Sequence, residues 1–228
     1  RRALSNDPDM WARFQREAEL VSQLESPNIV RVFDFGKTSD GQPFLAMEFV
    51  EGTTLDHVLL RIKTMRPVRA VDVVLQVAEG LEEAHAMGIV HRDLKPPNIM
   101  IGRRRDGTEV AKILDFGIAR LADTQKANSL TQMGMVVGTP AYLAPEQALA
   151  DALAARTDIY ALGCVAFEML TGRPPFIHEQ LARLVAAHLH ETPPPLESIR
   201  PELSGFPLLC KAVLKALEKD RTARFQDV

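Results

Sequence analysis

The chain has 228 residues, 46% of them hydrophobic and 25% charged, with a formal net charge of −3. That composition suits one large folded domain or two small lobes, and it gives no global case for binding nucleic acid or an anionic membrane. The two cysteines, Cys164 and Cys210, lie in apolar helical patterns and read as buried thiols rather than a disulfide framework. No signal-peptide pattern opens the chain, and no internal repeat is visible. The longest apolar run, residues 159–170, is interrupted by Glu168 and falls short of the ~20 residues that a membrane-spanning helix needs.

Asp7-Pro8 is a helix start, with the acid as cap and proline at the first helical position. The helix is expected to run to about Leu24. Met10, Phe14, Glu17 and Val21 share one stripe by their spacing. Glu17 either meets a cation there or is solvated at the stripe's edge. Ser26-Pro27-Asn28 breaks the helix. Residues 29–35 and 44–50 are β-rich and joined by a turn at Asp40-Gly41. Residues 67–87 are helical, with Ala70, Val74, Val77, Leu81 and Ala84 recurring every three or four positions and Gly88 ending the run. Residues 122–134 are small and polar, as in a surface loop. Thr157-Asp158 opens an apolar helix that reaches Leu170 and is ended by Gly172. A short amphipathic helix over 179–190, a proline-rich connection over 192–201 and a helix over 206–218 follow.

The stretch that carries chemistry is His91-Arg92-Asp93-Leu94-Lys95-Pro96-Pro97-Asn98, then Ile99-Met100-Ile101, a polar turn over 104–107, Lys112-Ile113-Leu114 and Asp115-Phe116-Gly117. Asp106-Gly107 is a hairpin-turn signal between two apolar runs. A hairpin brings its ends together, so Asp93, Lys95, Asn98 and Asp115 should converge. Two carboxylates, an ammonium and an amide suit phosphoryl transfer, which needs a group to orient a hydroxyl, a cation for the migrating phosphoryl and oxygen ligands for magnesium. His91 reads as a buried, hydrogen-bonded core residue. No second His or Cys stands at ligand spacing, so a zinc site is rejected.

His-Arg-Asp-Leu-Lys-x-x-Asn, then Asp-Phe-Gly, then Ala144-Pro145-Glu146, in this order, resembles the protein kinases. The resemblance covers the chain from about Asp7 to its last residue. It implies an α+β bilobal fold, with a truncated N-lobe of one helix and two or so strands and a mainly helical C-lobe. Residues 1–50 would be the N-lobe remnant and hinge, and 51–228 the C-lobe. It implies that Asp93 orients the substrate hydroxyl, that Lys95 steadies the γ-phosphoryl and that Asn98 and Asp115 hold Mg²⁺. ATP would be read at the backbone of Glu48 and Val50, with Met100 also facing the cofactor. Met47 resembles the gatekeeper; it also reads as a plain core methionine, and both can hold. Glu17 resembles the helix glutamate that pairs with a phosphate-binding lysine. Asp158 would accept backbone N–H groups near His91 and Arg92, and Arg224 would pair with Glu146.

Lys95 and Thr139 resemble the serine/threonine branch, and Thr-Pro-Ala-Tyr-Leu-Ala-Pro-Glu-Gln the eukaryotic-like kinases of bacteria. The resemblance therefore implies phosphorylation of protein serine and threonine hydroxyls in the cytoplasm, either as a free domain or as the cytoplasmic part of a longer membrane-anchored kinase. Autophosphorylation would pass through a kinase–kinase pair. Thr131 is the expected phosphosite, with Ser129 and Thr124 as rivals and Arg92 and Arg120 as phosphate partners. The chain departs from the family in one respect: neither Gly-x-Gly-x-x-Gly nor Val-Ala-x-Lys occurs in it. The expectation is a fragment cut just after that lysine, catalytically poor by itself. A pseudokinase-like scaffold that binds partners without phosphoryl transfer is the alternative, opposed by the intact Asp93, Asn98 and Asp115. A small-molecule kinase of the aminoglycoside type is disfavoured by Ala-Pro-Glu.

Overall fold

The computed structural model describes residues 8–116 and 140–228. Helix α1 (Pro8–Ser22) opens on proline, whose fixed φ suits a first helical turn. Its buried stripe is Phe14, Ala18 and Val21, with Glu17 at the edge. The stripe leads to Asn28, fully buried, whose side-chain Nδ2 donates to Ala111 O at 2.9 Å and whose backbone carbonyl accepts from Ile113 N at 2.7 Å. Burying an amide demands such partners. Strands β1 (Val32–Lys37) and β2 (Pro43–Met47) form an antiparallel hairpin. The expected strand at 29–35 thus starts later, because Ile29 bridges to Ile113 instead. Met47 is 40% exposed, so the core-methionine reading is wrong.

A second sheet has the order β3 (Gly52–Thr54), β4 (Ile99–Arg103), β5 (Glu109–Ile113), all antiparallel. The expected β4–β5 hairpin is present, with Ile99 opposite Ile113. Strand β3 and the helix after it, α2 (Leu55–Ile62), had no clear signal in the sequence. Helix α3 (Pro67–Ala86) follows the expected span to within a residue and buries Ala70, Val73, Val77 and Leu81. Helices α4 (Pro145–Ala148), α5 (Ala155–Thr171), α6 (Leu181–His190), α7 (Leu196–Ile199) and α8 (Pro207–Ala216) complete the described elements. Mixed helices and small sheets give the α+β class expected.

Helix α5 is buried on nearly every side, as an all-round apolar helix must be. It packs against α3 and α8. A Cβ on Gly163 would come within 2.9 Å of the Ala216 side chain, so glycine sets how closely α5 and α8 approach. Gly172, at φ +81°, ends α5 in the left-handed conformation foreseen for it. No helix among the described residues is long and apolar enough to cross a membrane.

The expected pair of Arg224 and Glu146 is present and buried. Arg224 Nη1 and Nη2 donate to the two Glu146 carboxylate oxygens at 2.9 and 3.0 Å. The remaining donors reach Arg156 O, Glu218 O and Lys219 O at 2.9, 2.7 and 3.1 Å. All five guanidinium N–H groups are thus satisfied, which is what allows a cation to be buried. Burial alone would raise the Glu146 pKa, but the hydrogen bonds and charge of Arg224 outweigh it and the net shift is downward.

Removing Arg224 strands the carboxylate. Arg224→Ala should lower the unfolding free energy by about 3–5 kcal/mol at neutral pH, measured by urea denaturation. A lowered folded-state pKa contributes stability above the ordinary carboxylate range and loses it as pH falls through the folded value. The gap between parent and variant should therefore narrow in acid, and a gap independent of pH would assign the loss to packing alone.

Candidate active site

The β4–β5 register places the loop before β4 against the residues after β5. Leu114 N donates to Asn98 O at 2.8 Å, which joins the two loops directly. Lys95 Nζ lies 2.8 Å from Asp93 Oδ2. Asn98 Nδ2 donates to Asp93 O at 2.9 Å and more weakly to Asp93 Oδ2 at 3.4 Å. With its nitrogen so engaged, the amide oxygen of Asn98 is left for another partner. Asp115 follows Leu114, is exposed and has φ +48°. Arg92 has φ +65°. Left-handed backbone at residues other than glycine is costly and persists where the surroundings enforce it.

Those surroundings are visible. Asp158, fully buried in the first turn of α5, accepts His91 N at 2.8 Å on Oδ2 and Arg92 N at 2.9 Å on Oδ1. His85 Nε2 lies 2.8 Å from Oδ2 as well. His91 is buried as expected. Its Nε2 lies 2.9 Å from Leu114 O, which only accepts, and its Nδ1 takes Asp93 N at 3.2 Å. Partner chemistry thus makes His91 the neutral ring with its proton on Nε2. The ring rests on Phe116 at 4.9 Å. His91 therefore ties both loops together, and neither ring nitrogen is left for catalysis.

Glu17 meets Arg92, its Oε1 3.5 Å from Nη1. Desolvation raises the Glu17 pKa and the Arg92 charge offsets part of that rise. The solvated reading of Glu17 is not what the structure shows, and its cation comes from the loop rather than from a strand. A shallow cavity between α1 and this loop is lined by Glu17, Val21, Ile89, Arg92 and Phe116. On the other side, Gln147 Nε2 donates to Arg92 O at 2.7 Å while its Oε1 accepts Ala144 N at 3.0 Å. Nothing in the sequence singled out Gln147.

Glu48 N donates to Arg31 O at 2.8 Å, and the Glu48 carboxylate takes Lys112 Nζ at 2.8 Å, a pair that sequence reasoning missed. Val50 and Met100 are half-buried, Met100 in β4 opposite Thr54 and Lys112. Arg120, Thr131 and Thr139 lie outside the described residues. No group of three or more His, Cys, Asp and Glu side chains gathers in a metal-binding arrangement among the described residues.

A family model described as protein kinase domain matches residues 2–226. Serine/threonine-protein kinase pkn3 of Myxococcus xanthus is 42% identical over 225 residues, covering 98% of this chain and 41% of that protein. Serine/threonine-protein kinase PknB of Mycolicibacterium smegmatis is 41% identical over 227 residues, 98% of this chain and 35% of that one. The chain thus spans about two fifths or less of these relatives' length. The crystal structure of the Mycobacterium tuberculosis PknI kinase domain superposes with a TM-score of 0.73 at 29% identity, covering 99% of this chain and 77% of that one. Rad53 residues 1–466 in complex with AMP-PNP superposes with a TM-score of 0.72 at 26% identity, over 93% of this chain and 51% of that one. With the three motifs in order and the loops they form joined as the fold requires, this chain belongs to the protein kinase domain family.

Proposed function

We propose that the chain is the catalytic domain of a serine/threonine protein kinase, transferring the γ-phosphoryl group of ATP to hydroxyls of protein substrates. The observation that supports this reading is the bonding of Lys95 and Asn98 to Asp93, with Leu114, the residue before Asp115, bonded to Asn98 across the ends of one hairpin. The names of the relatives and the nucleotide held by Rad53 support it.

In this reading Asp93 accepts or orients the proton of the attacking hydroxyl. Lys95, here bonded to Asp93, turns to the transferred phosphoryl. His91 and Asp158 fix the loop so that Asp93 does not have to be ordered at each turnover. The free amide oxygen of Asn98 and the exposed carboxylate of Asp115 are hard oxygen donors that fit Mg²⁺. So few protein ligands suit this ion, which keeps its waters and takes phosphate oxygens. When bound, Mg²⁺ supplies neutralisation of phosphate charge. The backbone of Glu48 and Val50 would read the adenine edge, with Glu48 N already given to Arg31 and its carbonyl the better candidate. Residues 1–50 are read as N-lobe remnant and hinge and 51–228 as C-lobe. ATP use makes the cytoplasm the compartment. Protein substrates include a second copy of the kinase, with Thr131 its phosphosite and Arg92 and Arg120 the phosphate partners. Thr139 is read as a mark of the serine/threonine branch.

In the full-length protein, Asp93→Asn should reduce turnover by roughly 10²-fold or more while leaving the circular dichroism spectrum unchanged. Near-normal turnover would remove Asp93 from the chemistry. Phosphate mapping by mass spectrometry should find Thr131 occupied in active protein, because a phosphothreonine brings charge that arginines can pair with and so order the loop. Thr131→Ala should lower activity. An active protein without phosphate at Thr131, or full activity in the alanine variant, would refute the switch.

A further inference from the structure

A line of buried polar groups runs through the helical half and takes no part in the chemistry above. It begins at Lys219, just beyond α8. Lys219 Nζ donates to His188 O at 2.8 Å, Ala187 O at 3.2 Å and Tyr160 Oη at 3.3 Å. It also sits 4.3 Å from the centroid of the Phe176 ring. Burial lowers the Lys219 pKa to about 8, which leaves it mainly charged at neutral pH. An ammonium only donates, so Tyr160 Oη accepts from Lys219 and sends its own proton to His188 Nδ1, 2.9 Å away. Nδ1 is then the lone-pair nitrogen, and the proton of the neutral ring sits on Nε2. Burial, helped by the Lys219 charge, pushes the His188 pKa down to about 4, so the ring is neutral. Tyr160 and Phe176 meet it edge-on at 5.8 and 5.0 Å and hold its plane.

Nε2 is the open end of this line. His188 is fully buried, and Nε2 has no well-formed hydrogen bond among the described residues. The group it faces is the backbone of Ala141, which favours a proton on the ring. A buried N–H without an acceptor is costly, and such groups call for a reason. Ala141 lies at the centre of the short Pro140–Tyr142 turn, against α5 and α6. Tyr142 Oη fastens that turn to Glu168 Oε2 at 2.5 Å, and a few residues on Gln147 grips Arg92 O. The 140–148 segment is thus strung from the helices to the residue adjoining Asp93. Its Gln147 end lies against the residue before Asp93, where a polypeptide presenting a hydroxyl would arrive.

We infer that His188 is a positioning residue for the protein substrate: its Nε2–H, held in that tautomer by Lys219 and Tyr160, bears on the Ala141 backbone and so holds residues 140–148 as the wall against which the substrate binds. The inference rests on the phosphotransfer reading above, because it needs a polypeptide at Asp93.

The test uses the full-length protein, ATP and a synthetic peptide of residues 124–138 as substrate probe, with KM measured for each. His188→Asn keeps an acceptor for Tyr160 but loses the reach to Ala141. It should raise the peptide KM by roughly fivefold or more and leave the ATP KM within about twofold. His188→Gln restores a donor near the Nε2 position and should recover the parent value. Nitrogen NMR of the parent should show His188 as the neutral Nε2–H form. An unchanged peptide KM in His188→Asn, equal rises for ATP and peptide, or an Nδ1–H ring would each overturn the inference. If the histidine variants do not fold, Tyr160→Phe preserves the aromatic packing and removes only the hydroxyl that sets the tautomer. A raised peptide KM there supports the inference and an unchanged one overturns it. A parent that carries the Nε2–H ring but transfers no phosphate sinks the phosphotransfer reading and this inference together, whereas an active parent with an indifferent His188→Asn sinks this inference alone.

Discussion

A carboxylate with no exposure to water has to find donors inside the protein, and Asp158 finds them in the backbone of His91 and Arg92 and in the ring of His85. This constraint organises the site. Helix α5 is buried because its faces are apolar, so its first turn is delivered to the middle of the molecule. The loop carrying Asp93 is bonded to that turn through two successive amides. The same contacts hold Arg92 in the left-handed conformation, which turns the chain sharply before Asp93. A helix N-terminus favours a negative charge as well, so Asp158 is stabilised by the end of its own helix.

The rest of the site follows from the hairpin and from His91. The β4–β5 ladder joins Asn98 to Leu114, and His91 bonds Leu114 O with one nitrogen and Asp93 N with the other. The loop before the hairpin and the loop after it are thus bonded directly to each other. Gln147 adds a third element by gripping Arg92 O, and the five-fold bonding of Arg224 anchors the Glu146 that precedes it. Preorganisation of this kind is what phosphoryl transfer asks of a protein, since the chemistry is mostly positioning and charge.

Arg92 occupies a contested position. Its carbonyl serves Gln147, its amide serves Asp158, and its guanidinium lies beside Glu17 of α1. The pair with Glu17 is half-exposed and therefore weak. The Arg92 side chain thus joins helix α1 to the loop of Asp93.

Local signals were enough for much of this fold. Asp106-Gly107 between apolar runs marks the hairpin, the three-four spacing of Ala70 to Ala84 marks α3, and Gly172 marks the end of α5, because each depends on neighbours a few residues apart. The motif order made the partners of Asp158 and Glu146 legible. Other features depend on residues far apart in the chain, for which no local pattern exists. Lys112 meets Glu48 only because β5 and the β2 exit are brought together, and the exposure of Met47 at the end of β2 is likewise set by tertiary packing. The short strand β3 has three residues and no periodicity to read, and it is held by β4 about fifty positions later. The partner of Glu17 and the line from Lys219 through Tyr160 to His188 were decided the same way. A side chain's residue type sets what it can bond, but only the packing of helices and loops decides which group arrives at bonding distance.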